Sequence, residues 1–368
     1  MAKYRFDEIA YNSTEKKKPI EDDKYTYLGL EHLDSGCLKV TRFGADVAPI
    51  GDKLVMKEGD VLFGKRRAYQ KKVSIAPFDG IFSAHGMVLR PKEAVVDKSF
   101  FPLFISSDYF LDAAIKISVG SLSPTINWRD LKELKFELPS LAEQRRLAQV
   151  LWSMNDTMES YKKLISTTEQ LVKSQFIEMF GNPVNGGLFE KSAIGKLGEV
   201  MTGTTPPMKN PEYYDSNDIL FIKPGDIAED SVTAILSAES FISEKARRVG
   251  RIFPKNSVLV TCIGTIGKVG IAMQEGSCNQ QINVIVPGAS VNHAYLAYCM
   301  LYMKDLLKEG ANAPVVPILN KADFSKIEIM VPPIVLQEQF AAFVRQSDKS
   351  KFAGMKGSNL NLSRCLEI

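Results

Sequence analysis

A chain of 368 residues with 45% hydrophobic and 24% charged side chains has the composition of a folded protein, not a disordered or fibrous one, and is too long for one ordinary core. A formal net charge of +3 is too mild to announce nucleic acid, and the five scattered cysteines, Cys37, Cys262, Cys278, Cys299 and Cys365, form no Cys-x-x-Cys pair, which argues against a disulfide framework or a zinc knuckle. No apolar run is long enough for a bilayer, and Met1 to Thr14 mixes Lys3 and Arg5 with Asp7 and Glu8 where a signal peptide is basic and then apolar, so the cytosol is the expected location and no membrane is expected as a partner.

In chain order, short β-branched and aromatic runs bounded by Gly, Pro and Asp alternate with short helical stretches such as Phe101 to Lys116. Lys65-Arg66-Arg67-Ala68-Tyr69-Gln70-Lys71-Lys72 is the densest basic cluster of the chain. Its cations suit phosphates, and its Tyr and Gln suit bases or sugars; the plainer reading is a solvated turn between two strands. Ser123-Pro124-Thr125-Ile126-Asn127 then leads through Leu138-Pro139 into a stretch, Ala142 to Phe180, with neither proline nor glycine. There Leu147, Leu151, Met154, Met158, Tyr161, Ile165, Thr168, Val172, Gln175 and Met179 fall at alternating steps of four and three, a heptad seam that predicts a helix packed lengthwise on another. Ordinary helix core is the alternative for such a stripe. Gly181-Asn182-Pro183 ends the helix.

Beyond it the chain repeats itself. Val316-Pro317-Ile318-Leu319-Asn320 matches Ser123 to Asn127 at an offset of 193 positions, and the same offset pairs Pro139 with Pro332, Leu141 with Ile334, Gln144 with Gln337 and Ala148 with Ala341. Upstream, Gly59 to Phe63 answers Asn256 to Val260, and Phe6-Asp7-Glu8-Ile9 is expected to answer Leu197-Gly198-Glu199-Val200. The counterpart of the basic cluster, Thr261 to Lys268 with Thr265 and Lys268, is rich in Gly and Thr. Two further stretches are candidate readers: Thr202 to Asn210, with Thr204, Thr205 and Lys209, and Asn279 to Asn283, where Gln280 and Gln281 carry amides able to pair bidentately with adenine. The second copy ends in a helix carrying Leu336, Phe340, Phe343 and Val344, but Ser347 and Lys351 interrupt its seam, Gly354 and Gly357 weaken it, and Ser358 to Ile368 no longer matches.

The fold class is therefore α+β: two repeated strand-rich modules separated by long antiparallel coiled-coil-like helices, divided as 1–140, a helix over 141–182, 183–333, and a shorter helix and tail over 334–368. Catalytic signals are poor. Gly264 to Val269 resembles a phosphate loop only faintly, with Val269 where a hydroxyl must meet magnesium; His32, His85 and His293 are isolated; Val331-Pro332-Pro333-Ile334 lacks the amide and ring of a methyltransferase motif. No catalytic or metal-binding residue and no cofactor is expected.

Together these residues resemble the specificity subunits of type I DNA restriction-modification systems. Leu138-Pro139-Ser140-Leu141-Ala142-Glu143-Gln144-Arg145 and Val331 to Gln339 look like that family's domain-to-helix junctions, and Gly203 to Tyr214 and Cys278 to Asn283 look like stretches of its target-recognition domains. The resemblance implies a non-catalytic subunit whose partners are double-stranded DNA, methyltransferase subunits docked on the helices, and restriction subunits in the assembled complex; S-adenosylmethionine, ATP and magnesium then belong to the partners. A full family member would end in a second helix as long as the first. The glycine-broken end departs from that, leaving open self-association through the long helix, a truncated inactive variant, and a scaffold that holds proteins and not DNA.

Overall fold

The computed structural model describes residues 1–310 and 317–358, with side chains to residue 348 apart from Gly186 and Gly187; Val316, Cys365 and the tail beyond Ser358 lie outside the described residues. The chain divides into two compact units, at Tyr161 and Lys162 within one continuous helix.

In the first module the strand Ala2–Arg5 pairs antiparallel with Lys135–Leu138, whose alternating exposed and buried residues are those of a strand with one face on the core. A single helical turn, Phe6–Ile9, leads into Ala10–Ser13, the edge of a four-stranded sheet in the order Ala10–Ser13, Met87–Pro91, Val61–Phe63, Val73–Ile75. A second four-stranded sheet runs Lys16–Lys17, Lys53–Met56, Gly80–Phe82, Tyr27–Leu28, the last pair parallel. Between sheet and helices lies an aromatic core in which Phe6 stands 5.0 Å from Phe110, and Phe136 5.3 Å from Phe104, ring to ring.

The second module repeats this plan. Lys191–Ala193 pairs with Glu328–Met330, the turn Ile194–Leu197 follows, and Gly198–Thr202 edges a five-stranded sheet with Ile282–Pro287, Val258–Thr261, Val269–Ala272 and Val232–Ile235. A three-stranded sheet contains the parallel pair Ile219–Ile222 and Gly276–Cys278.

The correspondence extends to single hydrogen bonds. Phe6 N–H donates to Leu134 O at 2.8 Å, and Ile194 N–H to Ile327 O at 2.9 Å. This overturns the expected match of Phe6–Ile9 with Leu197–Val200: the partner of Phe6 is Ile194, because backbone pairing sets the register and the likeness of the two tetrapeptides does not. Gly59 and Asn256 hold the same turn position, with φ of 85° and 68°, a conformation that glycine and asparagine tolerate best. Gln144, 1% exposed, accepts from Asp97 N at 2.8 Å and donates to Val95 O and Pro139 O at 3.1 and 3.0 Å; Gln337, fully buried, accepts from Asn292 N at 2.8 Å and donates to Ser290 O and Pro332 O at 3.2 and 2.7 Å. Each glutamine welds the start of a helix to the module before it.

The central helix, Leu141–Phe180, runs 40 residues. Leu151 is buried in the first module's core, with Leu147 and Met154 packed at its edge; Met158 and Ile165 are half-buried; Val172 is buried in the second module's core. The ends of the seam therefore serve as module core. At the C-terminal end the buried stripe shifts by one residue, from Gln175 and Met179 to Phe176 and Phe180. The C-terminal helix, Ile334–Ser358, continues through Gly354 and Gly357 and packs Phe340 and Val344 into the second core. Phe340 stands 5.6 Å from Phe180, while later Asp348 and earlier Glu169 both act on the buried Tyr298 hydroxyl, whose pKa burial raises first and these carboxylates raise further; the pairing is antiparallel.

Candidate nucleic-acid interface

The basic cluster forms the hairpin loop between Val61–Phe63 and Val73–Ile75, closed where Gly64 N–H donates to Lys72 O at 2.9 Å. Its counterpart in the second module closes where Thr261 N–H donates to Lys268 O at 3.0 Å. A returning segment braces each loop: Ile126 N–H donates to Lys65 O and Leu319 N–H to Cys262 O, both at 2.9 Å. Because Thr261 to Lys268 joins two antiparallel strands and opens no helix, the faint phosphate-loop likeness there lacks the required geometry.

Within the first loop the cations separate into two groups. Lys71 is an anchor, its ammonium 2.6 Å from Asp108 and 2.7 Å from Asp112; burial works against its charge, but the hydrogen bonds to these carboxylates hold its pKa above the ordinary value. Lys72 donates to Leu30 O at 2.7 Å, and its counterpart Lys268 donates to Pro224 O at 3.1 Å. Lys71, Lys72 and Lys268, candidate DNA contacts by sequence, thus each have an ammonium partner inside their own module.

Arg66, Arg67 and Tyr69 are exposed, and Lys65 is half-buried. Arg66 lies with Nη1 3.4 Å from His85 Nε2. Tyr27, Arg66, Arg67, Gln70, Ser83 and His85 line an open groove of about 440 Å³ that has Glu31 as an acidic member. Burial lowers the His85 pKa, and Arg66, Lys65 and Lys53 lower it further; burial and then Lys16 do the same to Lys65. Cations that add to burial in lowering the His85 and Lys65 values mark a locally positive site.

In the second module the structure brings the two other candidate stretches together. Thr205 Oγ1 donates to Gln280 Oε1 at 2.8 Å, and Thr204 N–H donates to Cys278 O at 2.9 Å. Gly203 allows this approach, since a Cβ there would stand 2.2 Å from Asn279 O and 2.4 Å from Cys278 O. Gln281 accepts from Asn279 Nδ2 at 2.8 Å and is half-buried, whereas Gln280, Lys209 and Thr265 are exposed.

Asn279 N–H donates to Ile222 O as Ser83 N–H donates to Leu28 O, at 3.2 and 2.9 Å. Ser83-Ala84-His85 is therefore the counterpart of Asn279-Gln280-Gln281. In the sequence His85 stands isolated and Tyr27, Ser83, Lys16 and Lys53 carry no local mark; alignment of Phe82–Met87 on Cys278–Asn283 is the signal that finds the first strip. In both modules the hairpin loop and this strip meet at one place of the framework.

The family model described as the type I restriction modification DNA specificity domain matches this chain twice, over residues 8–170 and 187–364. The chain belongs to that family. Among its relatives, the type I restriction enzyme HindI specificity subunit of Haemophilus influenzae is 30% identical over 361 residues, covering 76% of this chain and 78% of its own. The MjaIX specificity subunit of Methanocaldococcus jannaschii is 33% identical over 159 residues, 42% of this chain and 37% of its own. A type I restriction-modification S subunit from M. genitalium shares the fold, with a TM-score of 0.62 at 14% identity over 99% of this chain and 93% of that one. A chain from a structure of type I restriction-modification complex assembly gives 0.51 at 19% identity, over 99% and 95%. As a type I specificity protein with two specificity domains, the chain has DNA recognition as its function. Among its described residues no helix is long and apolar enough to cross a membrane.

Proposed function

We propose that residues 1–140 read one half of a bipartite double-stranded DNA target and residues 183–333 the other. The spacer helix of 141–182 and the shorter helix and tail of 334–368 set the gap and dock methyltransferase subunits, and restriction subunits join the assembled complex. S-adenosylmethionine, ATP and magnesium belong to those partners, and this chain binds DNA without chemistry of its own. Two readers tied together bind well only when both half-sites have the right spacing and phase, because the second contact is then intramolecular.

The observation that carries this reading is that a cationic loop in one module and a Thr- and amide-rich rim in the other stand at one position of a repeated framework. Lys65, Arg66, Arg67 and Tyr69 are the first module's DNA contacts. Thr204, Thr205, Lys209, Thr265, Gln280 and Gln281 are the second's.

The test is retention of labelled duplex by the full chain with its methyltransferase subunits across a salt series. Replacing Lys65, Arg66 and Arg67 by Ala weakens binding and lowers the salt slope by at least about one, since each phosphate neutralised contributes about 0.9. Affinity and slope both identical to those of the unaltered chain remove the cluster from the duplex. A protein scaffold would retain no DNA in a salt-sensitive way.

A further inference from the structure

The two modules share a framework yet carry different loops: Arg66-Arg67-Ala68-Tyr69 in one, Ile263-Gly264-Thr265 in the other. Phosphates are alike at every base pair, so groups that hold phosphate are interchangeable between half-sites, whereas groups that read bases must differ wherever the half-sites differ. Framework residues follow the invariant pattern: Lys72 and Lys268 make the same carbonyl anchor. The arginines have no equivalent in the second module.

Arg66 and Arg67 also differ from the ion-paired arginines of this chain. Arg5, Arg42, Arg90, Arg145 and Arg247 each hold a carboxylate, but neither Arg66 nor Arg67 is ion-paired among the described residues. Both are fixed at the backbone. Arg66 N–H donates to His85 O at 3.2 Å, and Arg67 N–H to Pro124 O at 2.8 Å, with Arg67 at a φ of 53° that side-chain-bearing residues rarely adopt. Lysines nearby, Lys16, Lys53 and Lys65, supply point charges suited to phosphate. A guanidinium adds a planar fork, and its bidentate match in the major groove is the O6 and N7 edge of guanine.

We infer that the groove of the first module is a guanine-reading site, with Arg66 and Arg67 as its specificity-determining residues. The inference rests on the DNA-reading role proposed above and names the base for one half of the target.

The full-length chain, in complex with its methyltransferase subunits, is used to select from duplexes randomised in both half-sites. Selection by the unaltered chain returns guanine at fixed positions of one half-site. R66Q and R67Q each reduce preference for guanine at one of those positions by about tenfold, within the range of one bidentate contact. Both leave affinity for duplexes lacking that guanine unchanged. Equal weakening on every duplex makes the arginines phosphate contacts and overturns the inference while DNA reading stands; so does selection of an A·T run, which marks a narrow minor groove. Unchanged affinity and selection in both variants places the groove off the duplex and overturns the inference while DNA reading stands, whereas no salt-sensitive retention of any duplex by the unaltered chain defeats both readings. Melting curves check folding, which exposed Arg→Gln changes leave intact.

Discussion

Replacing Gln144 by Ala removes the three hydrogen bonds that join the central helix to the first module, to Asp97 N–H, Val95 O and Pro139 O. These partners are half-buried, so each lost bond is worth about 1 kcal/mol and the total about 3 kcal/mol. With a urea dependence of about 2 kcal/mol per molar, the unfolding midpoint of this module falls by about 1.5 M. Tryptophan fluorescence isolates the effect, because the chain has two tryptophans, Trp128 and Trp152, and both lie in the first module. Trp128 packs on Phe6 at 5.6 Å, and Trp152 donates to Ser99 O at 2.9 Å, so both report its packing. Gln337→Ala breaks the equivalent bonds in the second module; it moves the far-UV circular dichroism transition and leaves the tryptophan transition in place. A Q144A midpoint within about 0.3 M of the unaltered chain, under a quarter of the loss computed from a typical urea slope, would falsify the clamp, and a Q337A shift seen by tryptophan would refute its assignment to one module.

Gly203→Ala forces a Cβ to 2.2 Å from Asn279 O, costing about 1–3 kcal/mol as overpacking against backbone does, and parts Thr204 from Cys278; an unshifted melt of the second module sinks this. Lys71→Ala changes stability by no more than about 1 kcal/mol and leaves the salt slope of DNA binding as it was, since Lys71 is committed to Asp108 and Asp112; a slope lower by about one returns Lys71 to the duplex. Inserting seven residues after Asp156 adds about 10 Å of helix, roughly three base pairs, and lengthens the gap between half-sites mapped by methylation; an unaltered gap removes the spacer role. The His293 pKa is lowered by burial first and then by Arg345 and Lys255, so the unfolded chain takes up the proton first as pH falls. Stability of the second module therefore declines as pH drops below the ordinary histidine value of about 6.5 toward the lower folded one, and His293→Asn flattens that decline in melts between about pH 7.5 and 5.5; parallel curves for both proteins count against it.

Long-period identity was readable because Gln144 and Gln337, or Pro139 and Pro332, sit without gaps around one structural task, the weld of helix to module. The N-terminal register was misread because Leu197-Gly198-Glu199-Val200 resembles Phe6-Asp7-Glu8-Ile9 in residue type, while the hydrogen bonds that set register come from Leu134 and Ile327, more than a hundred residues away. The same limit governs the site. A run of lysines shows no partners in sequence, so nothing local marked Lys71 as bound to Asp108 or Lys72 as bound to Leu30. Lone His85 looked inert because its neighbour Arg66 reaches it only through the fold. The helix stripe was readable by its period, but Phe176 and Phe180 replaced Gln175 and Met179 where aromatic partners Tyr295 and Phe340 gave more burial.

A hairpin loop tied at both ends can change its content without changing the fold. In each module three kinds of bond do the tying: the closing amide at Lys72 or Lys268, the ammonium of that same lysine on a carbonyl, and the returning segment at Ile126 or Leu319. These bonds involve backbone groups and one lysine side chain, so they are indifferent to what lies between. The intervening residues are then free to be arginines in one module and Gly and Thr in the other, at the same place and between equivalent ties. Rigidity matters because a floppy loop would lose on ordering much of what its contacts gain. Divergent readers on one framework thus follow from where the framework's hydrogen bonds are made, and the anchors, more than the readers, are what two half-site modules of this kind must share.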